Sequence, residues 1–472
     1  MPSSAQSNGG NGGDVDAIGG AASGRRRGRG TLLARVCQLG SLRRAFDHIR
    51  RNSGGRSSFS SGDFSVEQFA SEAEMQIRSI RNRLRSGAFL FSPLRPVAIE
   101  KKGRNGYRPI LVPPVADRIV QRAILHEISG SLAPYVSSRT SHAFRQNDSG
   151  VRSAVHRLRD EIRAGHRVVL VLDIQDFFSS IDSSRLYADL RLVLPDDSLL
   201  PLLKQLQNWE INDLSSLPWQ KKKCFPQAGK GVPQGSALSP ILSNFYLRTL
   251  DEECELRGLR AIRYADDIAV ACRSVEEAKE AFAWLKRRLD DLGLTVHPLN
   301  TSKKSRLMEI GADARSGIEY LGFFLMPLRN GVRVKPSDAA FKNARNEIAE
   351  CFAIESQAPL IERYSRLTHF LGSWIATYEQ VCGAGKLDRE RVKLLEWAQQ
   401  CLSELLVDRK LLSAPGLSGD QRRFLGVDSI FAPTRAPPSE SGKARRTASR
   451  KHSRMRRAEA NGETRQAIGA GT

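Results

Sequence analysis

The chain has few devices to staple it and none to carry it through a membrane. Its 7 cysteines, Cys37, Cys224, Cys254, Cys272, Cys351, Cys382 and Cys401, are scattered, with no C-x-x-C pair and no histidine cluster beside them. That spacing argues against a zinc site or a disulfide framework and leaves reduced thiols of a core. No apolar run approaches the roughly 18 to 20 residues that span a bilayer, and the N-terminus lacks the apolar centre of a signal peptide. A soluble, cytoplasmic protein without a membrane partner is the expectation. Acid is also short: 51 Asp and Glu stand against 73 Lys and Arg, a net charge of +22. So basic a chain calls for a polyanionic partner, because releasing counterions from phosphates dominates affinity for nucleic acid.

What is present is 472 residues that are 40% hydrophobic, enough for a sizeable core and for two to four structural units. Residues 1–30 are rich in Gly and Ser and end in "GRRRGRG", and residues 431–472 carry the basic run Lys443 to Arg457. Neither stretch has the apolar periodicity to offset its ordering entropy, so both are expected to be disordered. Between them, residues 65–87 read as one helix with Ser65 as N-cap and Gly87 as stop. Residues 108–128 pass from a strand through Pro113 and Pro114 into a helix capped near Asp117. Residues 167–178 form a continuous apolar run ending in acids, the pattern of a buried strand. Helices are predicted over 236–258 and 274–293, a hairpin over 318–336, and helix throughout 339–412. No internal repeat is present. Strand, helix, strand-turn-strand, helix, strand is a split βαβ order of ferredoxin type.

The adjacent Asp266 and Asp267 in "RYADDIAVAC" lie between two strand-like flanks. Taken alone, an Asp-Asp pair is an ordinary turn, since short acids satisfy turn backbone. Asp173 ends the "VVLVLD" strand, and if that strand neighbours the hairpin, three carboxylates converge. Such a cluster repels itself unless cations neutralise it. Hard oxygen ligands favour magnesium, and two ions about 3.5 to 4 Å apart suit phosphoryl transfer.

In order and spacing, "VLDIQDFFSSID", "GVPQGSALSPILSNFYL" and "RYADDIAVA" resemble motifs A, B and C of reverse transcriptases. "KKGRNGYRPILVPPVADRIVQRAI" and "SHAFRQNDSGVRSAVHRL" resemble finger motifs of the bacterial group II intron-like and retron-like branch, and "LTHFLGSWIATYEQV" resembles its thumb helix. The resemblance spans residues 40–410. It implies an α+β right-hand polymerase: fingers at 31–165, a palm at 166–336 and a helical thumb at 337–430. It implies RNA-directed DNA polymerase activity, with Asp173, Asp266 and Asp267 as catalytic ligands of two Mg2+ ions, or Mn2+ in their place. Asp176 is left outside that set. Phe178 matches the residue that blocks a ribose 2′-hydroxyl, the alternative being a plain core Phe beside Phe177. Gln234 and Gly235 match the element beneath the incoming nucleotide, and Arg108, with Lys101 or Lys102, matches the grip on its triphosphate.

One departure stands out in motif D, where "HPLNT" puts His297 at the usual Asn and Asn300 at the usual Lys. Lys303, Lys304 or His297 is then the alternative proton donor, against a purely structural His297. No HNH-like His/Cys cluster follows the thumb segment, and the retron-type Asn-Ala-x-x-His and Val-Thr-Gly signatures are not matched by "NARNEI" and "NGVRVKP". The implied partners are an RNA template, a nucleic-acid primer, a cognate noncoding RNA and dNTPs. The branch stays open among a stand-alone intron-like enzyme, a divergent retron enzyme and a reverse transcriptase of antiviral defence, and an RNA-binding maturase or chaperone of an intron-like RNA is the alternative.

Overall fold

A computed structural model describes residues 30–52, 65–101, 106–144, 150–300, 304–311, 316–354, 356, 358–383 and 385–409. The two terminal segments expected to be disordered lie outside the described residues, apart from Gly30, and so does Lys102. The chain divides into two compact units, one holding residues 1–318 and 327–332, the other 319–326 and 333–472. No described helix is long and apolar enough to cross a membrane.

The first unit is built on a four-stranded antiparallel sheet in the order β4-β5-β3-β6, from β3 (Val168–Asp173), β4 (Ala261–Tyr264), β5 (Asp267–Cys272) and β6 (Arg306–Glu309). Read from β3 as the first strand, that is the ferredoxin-like arrangement of a split βαβ fold. β3 is central because Val168 to Leu172 are all buried and need cover on both faces. Helix Val275–Asp291 returns the chain from β5 towards β6, with Ser274 accepting from the Glu277 amide as its N-cap. A separate hairpin pairs β1 (Arg95–Glu100) with β2 (Tyr107–Val112). One large apolar core runs beneath the sheet and the N-terminal helices.

The second unit holds β7 (Ile318–Tyr320), β8 (Phe323–Leu328) and β9 (Gly331–Pro336), though the end residue Ile318 and the hairpin tip 327–332 group with the first unit. Helices Asp338–Cys351, Leu360–Cys382 and Asp388–Asp408 follow and close on a core of their own, with Leu367, Leu371, Trp374 and Leu402 inside. The described cysteines are all free thiols, and all but Cys224 are buried.

Three expectations need correction in detail. The stretch 65–87 is two helices, Val66–Ser71 and Ala73–Arg85, broken at Glu72; Ser65 is the N-cap as expected, and Gln68 completes a reciprocal capping box with it. Helix Val115–Val136 starts after Pro114, so Asp117 is not its cap. Asp117 is instead buried in the first turn and accepts from the Ser92 amide at 2.8 Å. The stretch 236–258 is also two helices, Ser239–Tyr246 and Arg248–Leu256, joined at Leu247.

Candidate active site

β3 and β5 bring the acids together. Their register sets Asp173 directly opposite Asp267, and Asp266 occupies the two-residue turn that joins β4 to β5. All three are half-buried. Burial pushes Asp266 and Asp267 above the usual carboxylate range, Asp267 to about 7. The neighbouring carboxylates add to both rises, Lys304 opposes both, and Arg108 opposes that of Asp266. The turn carries a positive φ of 57° at Ala265 and none at Asp266, the signature of a II′ hairpin, where glycine is the usual first residue. Asp176, with φ 42°, is exposed at the start of the short helix Phe177–Ser180.

Motif D resolves into three different roles. Asn300, also left-handed at φ 60°, is taken up by the turn: its amide donates to the Ser305 carbonyl and its Oδ1 accepts from the Leu307 amide. Lys304 Nζ lies 2.5 Å from Asp173 Oδ2 and 3.1 Å from His297 Nε2. Partial burial, then the Lys304 charge, depresses the His297 pKa, with Asp173 and Asp176 pulling the other way. Lys303 lies outside the described residues.

The segment 231–235 is fixed by backbone on both sides. The Val232 amide donates to the Phe178 carbonyl at 2.9 Å, and the Leu111 amide of β2 donates to the Gln234 carbonyl at 2.6 Å. Both glycines are required. Gly231 has φ 69° and a Cβ there would lie 2.2 Å from the Phe178 oxygen, while Gly235 has φ 131° and its Cβ would lie 2.2 Å from the Leu111 oxygen. The start of the following helix is anchored by Gln121, whose Oε1 accepts from Ser236 Oγ and the Ala237 amide. Phe178 is half-buried with its ring 5.4 Å from that of Phe177, and Arg108 projects exposed from β2. Asp173, Asp266, Asp267, Phe178, Gln234, Gly235 and Arg108 therefore all lie in the first unit, linked through β3, β5, β2 and the 231–235 segment.

Sequence reasoning missed what lies under the turn. Arg263 is almost completely buried, and its Nε and Nη2 pair with Asp251 at 2.7 and 2.5 Å. Its Nη1 donates to Asn244 Oδ1 and to the Ala265 carbonyl. The available signal was an arginine inside the apolar strand "AIRY", where a lone charge is costly without a partner.

Among the described residues, no group of three or more His, Cys, Asp or Glu side chains is placed to hold a metal ion. The chemistry of the donor set nevertheless suits a hard cation. Desolvated, mutually repelling carboxylates face one another, and an ammonium rests on Asp173. Acids at the ends of β3 and the β4–β5 turn of a ferredoxin-like sheet, beside a glycine-bounded segment tied to both, define the palm of a right-hand polymerase. Residues 99–325, just under half of the chain, match the family described as "Reverse transcriptase (RNA-dependent DNA polymerase)". Over 186 residues it is 28% identical to the group II intron-encoded protein LtrA of Lactococcus lactis subsp. cremoris, covering 38% of this chain and 28% of LtrA. It is 30% identical over 192 residues to protein YkfC of Escherichia coli K12, 39% of this chain and 47% of YkfC. It is 25% identical over 212 residues to the retron Ec86 reverse transcriptase of Escherichia coli, 44% of this chain and 58% of that enzyme. The chain thus spans less than two thirds of each of these relatives.

Proposed function

We propose that this protein is an RNA-directed DNA polymerase that adds deoxynucleotides to a primer 3′-hydroxyl on an RNA template. The observation that carries the reading is the opposition of Asp173 and Asp267 across the β3–β5 ladder, with Asp266 in the adjoining turn. Two Mg2+ ions held by these acids would activate the hydroxyl and neutralise the leaving pyrophosphate. The chain's own residues do the rest. Arg108 binds the triphosphate, Gln234 and Gly235 form the floor under the base, and Phe178 faces the sugar 2′ position. Lys102 is the second cation proposed for the triphosphate.

Lys304 is the proton donor we favour for pyrophosphate. Asn300 is engaged in its turn, and the depressed pKa of His297 leaves that ring neutral near pH 7, whereas the Lys304 ammonium already faces the site. Fingers, palm and thumb would correspond to residues 31–165, 166–336 and 337–430, and the enzyme would act in the cytoplasm on a cognate noncoding RNA.

The test is primer extension on poly(rA)/oligo(dT) with Mg2+ and dTTP, comparing the wild type with Asp266→Asn. Extension by the wild type alone supports the reading; RNA binding should be undiminished in the variant, since only a negative charge is lost. If an RNA-folding or splicing function survives Asp266→Asn intact, the maturase reading replaces it. The retron-type defence setting is checked by phage plating of a deletion strain, and unchanged plating across a broad panel removes it.

A further inference from the structure

We propose that Arg263 and Asp251 are a positioning pair, whose task is to hold the Ala265–Asp266 turn in the shape that lets Asp266 and Asp267 take divalent ions. The inference rests on the ion-binding reading above and adds to it the residues that set its geometry.

The pair is an unusual thing to find at this place. Its two side chains are 1% and 2% exposed, and they lie between β4 and helix Arg248–Leu256. Taking two charges out of water costs so much that apolar residues of similar volume generally stabilise a fold as well or better. Stability alone therefore does not account for the pair. What an apolar pair cannot do is donate hydrogen bonds, and Arg263 uses its guanidinium as a rigid bracket. Nε and Nη2 grip Asp251, which fixes the plane, and Nη1 reaches the Ala265 carbonyl at 3.1 Å and Asn244 Oδ1 at 3.0 Å.

Both ends of that bracket matter. Ala265 stands in a left-handed conformation, φ 57°, which its Cβ disfavours and which a surrounding structure must enforce. Asn244 belongs to the helix that follows the 231–235 segment, and its Nδ2 donates to the Ala143 carbonyl at 2.6 Å. The backbone of Arg263 is also held from the other side, donating to the Thr140 carbonyl and accepting from the His142 amide. A lysine would supply charge without the fork, so the geometry asks for arginine in particular.

The experiment compares the wild type with Arg263→Lys, Arg263→Met, the double variant Arg263→Met/Asp251→Leu, that double variant carrying Ala265→Gly, and Asp266→Asn. Melting temperature is measured without divalent ions, Mn2+ binding by electron paramagnetic resonance, and primer extension as kcat and template–primer Kd. The double variant should melt near the wild type, whereas Arg263→Met alone, taking the guanidinium away from the buried Asp251, should melt far below it. Mn2+ affinity should nevertheless fall at least about tenfold in the double variant and in Arg263→Lys, and kcat with it, while template–primer Kd stays put. Ala265→Gly should restore part of the Mn2+ affinity, because glycine takes the left-handed turn without enforcement. Wild-type Mn2+ affinity and kcat in the double variant overturn the proposal, as does a double variant that fails to fold, since the pair would then be a folding element. Absence of Mn2+ binding in the wild type, or binding that Asp266→Asn leaves intact, is the distinct result that overturns the ion-binding reading itself.

Discussion

At the scale of single residues, the acids of the site are costly to the fold that carries them. Asp267, with its pKa pushed up to about 7 by burial and by Asp266 and Asp173, binds its proton more tightly folded than unfolded. Stability is therefore lost as pH rises from about 4, the unfolded carboxylate value, to about 7. Asp267→Asn does not titrate, so in the absence of divalent ions its melting temperature should exceed that of the wild type at pH 8 by roughly 5 °C. Thermal melts across pH should show the gap closing near pH 4. Phe178 makes a second residue-scale prediction. Its half-buried ring packs against Phe177 while the Val232 amide holds its main-chain carbonyl, so shortening the side chain should open the sugar side of the site without loosening the backbone. Phe178→Ala should raise kcat/KM for ribonucleotides at least about tenfold relative to deoxynucleotides, measured by competitive incorporation. The acids were legible in the sequence because Asp173 ends one apolar strand and Asp266 and Asp267 stand where two others meet. Asp251 and Arg263 were not, because a buried pair 12 positions apart shows itself only as one charge out of pattern in each element.

At the scale of elements, continuous apolar runs gave themselves away and breaks between helices did not. β3 was readable as a buried strand from Val168 to Leu172, since no helix face could absorb that run. The interruptions at Glu72 and Leu247 carry neither Pro nor Gly, so nothing local signals them. Glycine is informative where the chain is crowded. Gly235→Ala should abolish primer extension, by at least about 100-fold in kcat/KM, because the added methyl meets the Leu111 carbonyl at 2.2 Å in a conformation of φ 131°. Gly87 offers the control: it has φ 75° but open space around it, so Gly87→Ala should lower the melting temperature slightly and leave extension unchanged.

At the scale of the whole molecule, charge and core are the two properties composition foretold. The net charge of +22 predicts RNA binding whose log affinity falls steeply with log salt, with a slope beyond about −3. Filter binding across salt concentrations checks it, and deleting residues 432–472, which include the basic run Lys443 to Arg457, should flatten the slope while extension persists. The separation into two cores was legible only as a change of pattern near residue 339, because helical periodicity does not say which face meets which neighbour. The 231–235 segment has a last consequence. The ties that place it, Val232 to Phe178 and Leu111 to Gln234, run between main-chain atoms and do not depend on which side chains those positions carry. Side chains along the segment can therefore be exchanged while the main-chain frame keeps its place. Gly231 and Gly235 lack that freedom, because any side chain there would run into the Phe178 and Leu111 backbone.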